Sequence, residues 1–300
     1  MRERSRNNPM RSLLYIPGNH PGMLQNCAIY GSDAVIFDLE DAISISEKDS
    51  ARRLVKHALR GFDYGNIEII VRVNGRDTAY FEADLEEIVP ANPDAIRLPK
   101  VDSADDVLAA DELISRLEEA NGLPKGEIGI QAMLETARAI VNVNSIAAAS
   151  PRLVGLTLGG QDLAADLGIR ATKEGYELLY AKSSVVIAAK AYKLQAFDTV
   201  FTDVSDLEGL RAQAVVGFAL GFSGKAAIHP SQIPVINSVY TPEPKEVAKA
   251  AKIVTAAKEA EQRGLGVIAV DGRMVDAPVV AQALRTLELA RLAGMEVLEL

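Results

Sequence analysis

The sequence predicts a (β/α)8 TIM barrel followed by a C-terminal helical extension, because short apolar runs alternate with longer amphipathic stretches eight times along the chain. The connections between the runs are too short to hold a separate domain. We expect the barrel to cover residues 11–240 and the extension to cover 241–300, either as a packing appendage or as a lid or oligomer arm. An open doubly wound sheet is the alternative, but no Gly-x-Gly-x-x-Gly motif follows the first predicted strand.

The predicted strands are short and rich in β-branched residues, which is typical of buried parallel strands. They cover residues 12–16, 34–38, 67–73, 94–98, 128–134, 153–158, 197–201 and 225–228.

Helix-start signals lie between these runs. Residues 103–106 resemble a capping box and open a predicted helix that ends at Asn121 and Gly122. The same signal at residues 205–208 precedes a predicted helix over 210–220. The extension is predicted to hold a helix over 244–263, a hairpin-like segment over 266–275 and a helix over 278–292.

The composition excludes several classes of protein. Of the 300 residues 48% are hydrophobic and 24% are charged, which excludes a disordered chain. The net charge is −9 without a long basic run, so we expect no nucleic-acid partner. No apolar run reaches the roughly 20 residues that span a bilayer, and we expect a cytoplasmic protein with no membrane partner. The single cysteine, Cys27, fits a reducing compartment.

Two acidic residues at consecutive strand ends suggest a metal site. The active site of a barrel lies at the carboxyl ends of its strands, and Glu135 and Asp162 follow the fifth and sixth predicted strands there. Their backbones should lie about 5 Å apart, so that both carboxylates can hold one cation. Mg²⁺ fits best, because the histidines are scattered and form no zinc-ligand spacing. Alternatively, each carboxylate caps a neighbouring helix or loop.

Cationic residues at the same rim suggest anion binding. Arg72 lies inside an apolar run, where its guanidinium either clamps a substrate carboxylate or forms an internal salt bridge to Asp38 or Asp41. Lys100 either steers an anion into the site or is a solvated loop lysine. His229 is either a general base or a residue that satisfies backbone groups at a strand end.

Several ordered motifs resemble the citrate lyase β-subunit family, which belongs to a wider group of acyl-CoA lyases with the malyl-CoA and citramalyl-CoA enzymes. The resemblance runs from about Arg11 to the C-terminus. The motifs that carry it are Pro17-Gly18-Asn19, the segments 30–41, 47–53 and 70–74, Arg97-Leu98-Pro99-Lys100, Glu135, Gln161-Asp162 and the segment 272–278.

This resemblance implies a trimeric or hexameric barrel that cleaves a 3-hydroxyacyl thioester. The substrate would be citryl-CoA or a citryl-carrier protein, and the products would be oxaloacetate and an acetyl thioester. The resemblance also implies partner α and γ subunits of a citrate lyase complex. Related alternatives are a malyl-CoA or citramalyl-CoA lyase or thioesterase, a pyruvate aldolase that needs no CoA, and a non-catalytic barrel that serves only for docking.

The resemblance also implies roles for individual residues. Glu135 and Asp162 would bind Mg²⁺, Arg72 would hold the oxaloacetate carboxylate, and Glu135 and Lys100 would contribute to substrate binding. Asp276 resembles the acid/base residue of the family, which a neighbouring subunit supplies. Gln161 stands where we expect glutamate in many citrate lyase relatives, and it removes a charge beside the metal.

Overall fold

The computed structural model describes residues 10–170, 172–262 and 268–297. The chain divides into two compact units, one formed by Met10–Asn237 and the other by the described residues from Ser238 onward. Within the described residues, no helix combines the length and the apolar character that crossing a membrane requires.

The first unit is a closed barrel of eight parallel strands, which confirms the predicted TIM barrel rather than the open sheet. Each strand pairs with the next in sequence order, and β8 pairs with β1 through Ser12 with Lys225 and Leu14 with Ala227. The strands are β1 (Ser12–Pro17), β2 (Ala34–Asp38), β3 (Glu68–Arg72), β4 (Ala95–Leu98), β5 (Gly129–Leu134), β6 (Leu153–Leu158), β7 (Gln195–Asp198) and β8 (Gly224–Ala227).

Helices follow the strands and surround the barrel, as the alternating pattern predicts. They are α1 (Pro21–Asn26), α2 (Lys48–Gly61), α3 (Phe81–Ile88), α4 (Ala104–Ala120), α5 (Ala137–Val141), α6 (Val143–Ala147), α7 (Gly160–Asp166), α8 (Leu179–Ala191), α9 (Leu207–Leu220) and α10 (Ile233–Tyr240). The capping box at the start of α4 is present, with Ser103 and Asp106 bonding each other's backbone.

Alternate residues of the strands fill the inside of the barrel. One buried cluster combines side chains from five strands and Met10, and Tyr15 packs against it; its strand members are Leu13, Ala34, Ile36, Ile70, Ala95 and Phe197. Because side chains alternate between the two faces of a strand, the intervening residues point toward the surrounding helices.

The seventh strand differs from the prediction. We expected residues 197–201, but β7 covers Gln195–Asp198, since Gly155 of β6 pairs with Gln195 and fixes the earlier register. Residues 199–201 lie outside the sheet and belong to the loop that follows β7. The next helix also begins differently: Asp206 is its N-cap and accepts the Gly209 N–H at 2.8 Å, so the signal predicted from Ser205 was wrong by one residue.

The second unit is a helical extension built on a helix pair and a hairpin. The helices α11 (Pro244–Gln262) and α12 (Ala277–Leu292) pack against each other, and β9 (Ile268–Val270) pairs antiparallel with β10 (Arg273–Val275). Asp271 and Gly272 form the tight turn, with φ of 50° and 74°. The predicted ends at 263 and 266–267 lie outside the described residues.

A buried ion network closes the amino end of the barrel, opposite the expected site. Arg152, just before β6, donates to both oxygens of Glu118 at 2.8 Å and to Asp111 at 2.7 Å. Glu118 also accepts the N–H groups of Gly126 and Ile128. This network joins α4 to the start of two strands, so it stabilises the barrel.

We predict that Arg152→Met lowers the free energy of unfolding by about 3–5 kcal/mol, because it leaves the Glu118 carboxylate buried without its cation. Urea denaturation measures the loss. The matched control is Lys125→Met, since Lys125 pairs with Glu119 at 3.6 Å with both side chains more than half exposed. The control should cost less than about 1 kcal/mol, and equal losses in the two variants would contradict the prediction.

Candidate active site

A cavity of about 440 Å³ opens at the carboxyl end of the barrel strands. Its size suits a small organic ligand. Its polar lining comes mainly from the ends of different strands: Tyr15, Asp38, Asp41, Arg72, Thr157, Gln161, Asp162 and Thr199. Of the residues predicted for the site, the structure therefore brings Arg72 and Asp162 together at one cavity.

Glu135 is not among the residues that line this cavity, but it packs against Gly159, which is. It follows β5, is only 2% exposed, and its Oε1 accepts the backbone N–H of Lys100 at 2.6 Å. Burial raises the pKa of Glu135 to about 8, and the charges of Glu40 and Asp162 act in the same direction. Helix α5 is instead capped by Thr136, which accepts the Ala139 N–H, so the helix-cap alternative for Glu135 was wrong.

Two glycines place Asp162 beside Glu135. A Cβ on Gly159 would lie 2.5 Å from the Cβ and from Oε2 of Glu135, and a Cβ on Gly160 would lie 2.8 Å from Oγ1 of Thr199. The Gly160 N–H donates to that same Thr199 oxygen at 3.0 Å. The start of α7 is thus held between Glu135 and Thr199, and Asp162 in its first turn lines the cavity.

Arg72 forms the internal salt bridge that was one of its two predicted alternatives. Its Nε and Nη2 both donate to Asp38 at 2.6 Å, and its Nη1 lies 3.1 Å from Asp41 and 2.8 Å from Glu40. Burial by itself would lower the pKa of Arg72, but the charge of Asp38 holds it well above the usual value. The planar edge that would clamp a substrate carboxylate is therefore already occupied by Asp38.

Glu40 is a third buried carboxyl group at this site, with Asp38 and Glu135, and it was not among the candidates expected from the sequence. Both oxygens are buried, and within the part of the chain that the structure describes they have no hydrogen-bond partner, only ion-pair contacts to Arg72 and, at 3.6 Å, to Lys100 Nζ. Burial raises the pKa of Glu40 to about 7, although the charge of Arg72 opposes the rise. Its position in the acidic run after β2 was the available signal.

Lys100 and His229, the other two site candidates in the first unit, lie nearer the edge of the site. The side chain of Lys100 is 51% exposed, and its closest link to the site is the backbone N–H that binds Glu135. His229 caps a short helix, because its Nδ1 accepts the Ser231 N–H at 3.2 Å. For His229 the structure shows the alternative in which it satisfies a backbone group.

The acidic rim has the chemistry of a divalent-cation site. Carboxylates outnumber the nearby cations, and the raised pKa values of Glu40 and Glu135 show that burial and neighbouring acids disfavour their charged forms. A cation among them would relieve this cost. Within the described residues no cluster of three or more His, Cys, Asp or Glu side chains could hold a metal ion. The pair Glu135 and Asp162 would therefore leave further positions to water or ligand, as Mg²⁺ prefers.

Asp276 lies in the second unit. It is the N-cap of α12, where its Oδ1 accepts the Val279 N–H at 3.3 Å. Its residue type and its place before Ala277 and Pro278 account fully for this capping role.

Comparisons with known proteins identify the class to which this fold and site belong. Residues 11–230 match the family model described as HpcH/HpaI aldolase/citrate lyase. The chain belongs to this family, which confirms the resemblance seen in the sequence.

Individual relatives match over almost the whole chain. The chain is 43% identical to citrate lyase subunit beta of Leuconostoc mesenteroides subsp. cremoris, over 93% of each chain. It is 40% identical to (3S)-malyl-CoA thioesterase of Cereibacter sphaeroides (strain KD131 / KCTC 12085), over 93% of this chain and 94% of the other. A crystal structure of CitE from Mycobacterium tuberculosis, in complex with magnesium, acetoacetate and coenzyme A, matches 95% of this chain and 99% of that chain, with 32% identity and a TM-score of 0.78. These relatives support the expected carbon–carbon lyase class.

We predict that Gly159→Ala destabilises the protein by about 1–3 kcal/mol, since the new methyl group would overlap Glu135. Urea denaturation provides the measurement. Gly61→Ala is the matched control, because a Cβ there meets nothing within 4 Å, and it should be neutral or slightly stabilising. A Gly159→Ala protein as stable as the control would show that Glu135 does not lie against the turn.

Proposed function

We propose that this protein is a Mg²⁺-dependent lyase that cleaves a 3-hydroxyacyl thioester, with citryl-CoA or a citryl-carrier protein as its substrate and oxaloacetate and an acetyl thioester as its products. The observation that carries the proposal is the buried Glu135 carboxyl group with Asp162 beside it at a barrel-end cavity. The citrate lyase relatives and the magnesium complex of the CitE neighbour support the same chemistry.

Glu135 and Asp162 would hold the metal ion, while Lys100 fixes Glu135 through its backbone N–H. Bound Mg²⁺ supplies polarisation of the substrate hydroxyl and carboxylate oxygens, which favours cleavage of the adjacent carbon–carbon bond. Lys100 Nζ, on an exposed side chain near Glu40, is placed to attract the anionic substrate.

Arg72 requires a changed role within the proposal. Because Asp38 occupies its Nε and Nη2, we assign it Nη1 as its contact to the oxo-acid carboxylate, in place of a two-armed clamp. Nη1 is shared between Glu40 and Asp41, and Asp41 is largely exposed, so an incoming carboxylate needs to displace only this weakest partner.

We assign the acid/base step to Asp276 on the basis of the family resemblance. Its carboxyl group would protonate the carbon of the departing thioester enolate, or remove that proton in the condensation direction. We propose that Asp276 reaches the site from a neighbouring subunit of a homotrimer or hexamer, and that the barrel and extension divide near residue 240. We also propose a cytoplasmic enzyme that works with citrate lyase α and γ subunits.

A malyl-CoA thioesterase or lyase is the second candidate, because the Cereibacter sphaeroides thioesterase is 40% identical to this chain. The neutral Gln161 lines the cavity directly before Asp162, where the substrate chain would pass. Substrate choice is therefore the feature that an experiment must decide.

We predict that the isolated protein, given citryl-, malyl- and citramalyl-CoA with and without Mg²⁺, cleaves citryl-CoA fastest and only with Mg²⁺. Analysis of the products identifies both the oxo acid and the thioester fragment. Glu135→Gln and Asp162→Asn should each lower kcat/KM by at least about 100-fold with the fold intact, because each removes a charge that holds the ion. Faster cleavage or hydrolysis of malyl-CoA would favour the second candidate. Full activity of either variant would contradict the metal assignment.

The raised pKa of Glu135 predicts how pH affects the metal-free protein. A folded-state pKa of about 8 against an ordinary value of 4.5 means that the folded state binds the proton more tightly. The free energy of unfolding in EDTA should therefore fall as pH rises from about 4.5 to 8. Urea denaturation at several pH values measures this loss. Glu135→Gln should lose less over the same window, and saturating Mg²⁺ should remove most of the loss from the unsubstituted protein. A pH response identical in both proteins would contradict the assignment.

A further inference from the structure

Arg97 is a fully buried cation without a carboxylate partner among the described residues. It lies on β4, and its guanidinium donates to Gln131 Oε1 from Nε at 3.1 Å and from Nη2 at 2.6 Å. The remaining contact of Nη1 is the hydroxyl of Tyr15 at 3.0 Å, and the rings of Tyr15 and Phe197 lie against the guanidinium. Gln131 is neutral, so the charge of Arg97 is not cancelled by an ion pair.

Tyr15 connects this charge to the cavity. It lies on β1 two residues before Pro17, and both residues line the cavity. The phenol oxygen accepts from Arg97, and among the described residues the sulfur of Met133, at 4.0 Å, is the only acceptor for its proton. A thioether is a weak acceptor that an anionic oxygen would readily replace. A hydroxyl that accepts from a cation becomes a stronger donor, because hydrogen bonds in a chain polarise one another.

The cavity therefore carries two kinds of polar group. The acids Asp41 and Asp162 suit a divalent cation, whereas the Tyr15 hydroxyl, next to the uncancelled charge of Arg97, suits an anion. The Arg72 guanidinium also lies over the Tyr15 ring, 5.0 Å from its centroid, but its charge is already matched by Asp38 and Glu40, whereas that of Arg97 is not matched by a carboxylate of the described residues.

We propose that the Tyr15 hydroxyl, backed by Arg97, donates a hydrogen bond to an anionic carboxylate oxygen of the ligand and so fixes the oxo-acid part of the substrate. This inference rests on the proposed function for the identity of the ligand, a small 2-oxo or 2-hydroxy carboxylate. It adds a substrate-binding residue that the sequence analysis did not name.

Tyr15→Phe tests the proposal, because it removes the hydroxyl and keeps the ring. The probe is oxalate, titrated calorimetrically at saturating Mg²⁺, and Mg²⁺ affinity is measured separately. Loss of a hydrogen bond to a charged acceptor should weaken oxalate binding on the order of 10- to 100-fold and leave Mg²⁺ affinity within about twofold. With the active thioester substrate, KM should rise while kcat changes little, since the contact exists before and during the reaction.

Tyr64→Phe is the matched control. Tyr64 is buried and packs edge-on against Phe37, but its hydroxyl has no hydrogen-bond partner among the described residues, and it does not line the cavity. This variant should bind oxalate as the unsubstituted protein does.

The outcomes separate the inference from the proposed function. Unchanged oxalate binding by Tyr15→Phe would overturn the role of Tyr15, as would an equal loss of oxalate and Mg²⁺ binding, which indicates a structural effect. Failure of the unsubstituted protein to bind oxalate would also overturn it. Selective loss of oxalate binding in a protein that cleaves no thioester would support the role of Tyr15 and contradict the proposed lyase function.

Discussion

The buried acidic groups at the carboxyl end of the barrel strands are the constraint on which the rest of the site depends. Glu40 and Glu135 are both almost fully buried, and burial raises the pKa of each; the charge of Glu40 adds to the rise at Glu135, and the charges of Asp41 and Asp38 add to the rise at Glu40. Burying carboxyl groups together is costly unless protons or cations neutralise them. Arg72 neutralises the carboxylates around Asp38, but no cationic side chain of the described residues is hydrogen-bonded to Glu135. A divalent ion would balance the remaining negative charge, so metal binding would also stabilise this end of the barrel.

The rest of the site follows from fitting side chains around that charge. Gly159 and Gly160 are needed because Glu135 and Thr199 approach their backbone too closely for a side chain, and this packing sets the position of Asp162. Arg97 remains as an unmatched positive charge on the inner face, with Tyr15 between it and the cavity. A cavity that combines acids with a polarised hydroxyl suits a ligand that carries its own carboxylate and meets a metal ion.

Much of the fold could be predicted from the sequence, because strands buried on both faces give continuous apolar runs and their repetition gives the barrel. The seventh strand was misplaced since Phe197 and Phe201 suggest a later start, whereas pairing with β6, a tertiary contact, decides the register. Glu135 and Asp162 were identifiable from their places after strands. The salt bridge between Arg72 and Asp38 could be predicted only as one of two alternatives. The roles of Glu40, Tyr15 and Thr199 depend on contacts with residues distant in sequence, so they could not be predicted.

A crystal soaked with Mn²⁺ as a substitute for Mg²⁺ shows whether Glu135 and Asp162 bind one ion, because anomalous scattering locates the ion without reference to activity. We expect one ordered ion within about 2.0–2.3 Å of a carboxylate oxygen of Glu135 and of Asp162, with water at its other positions. An ordered ion elsewhere, or carboxyl groups of Glu135 and Asp162 that turn apart when Mn²⁺ is present, would contradict it.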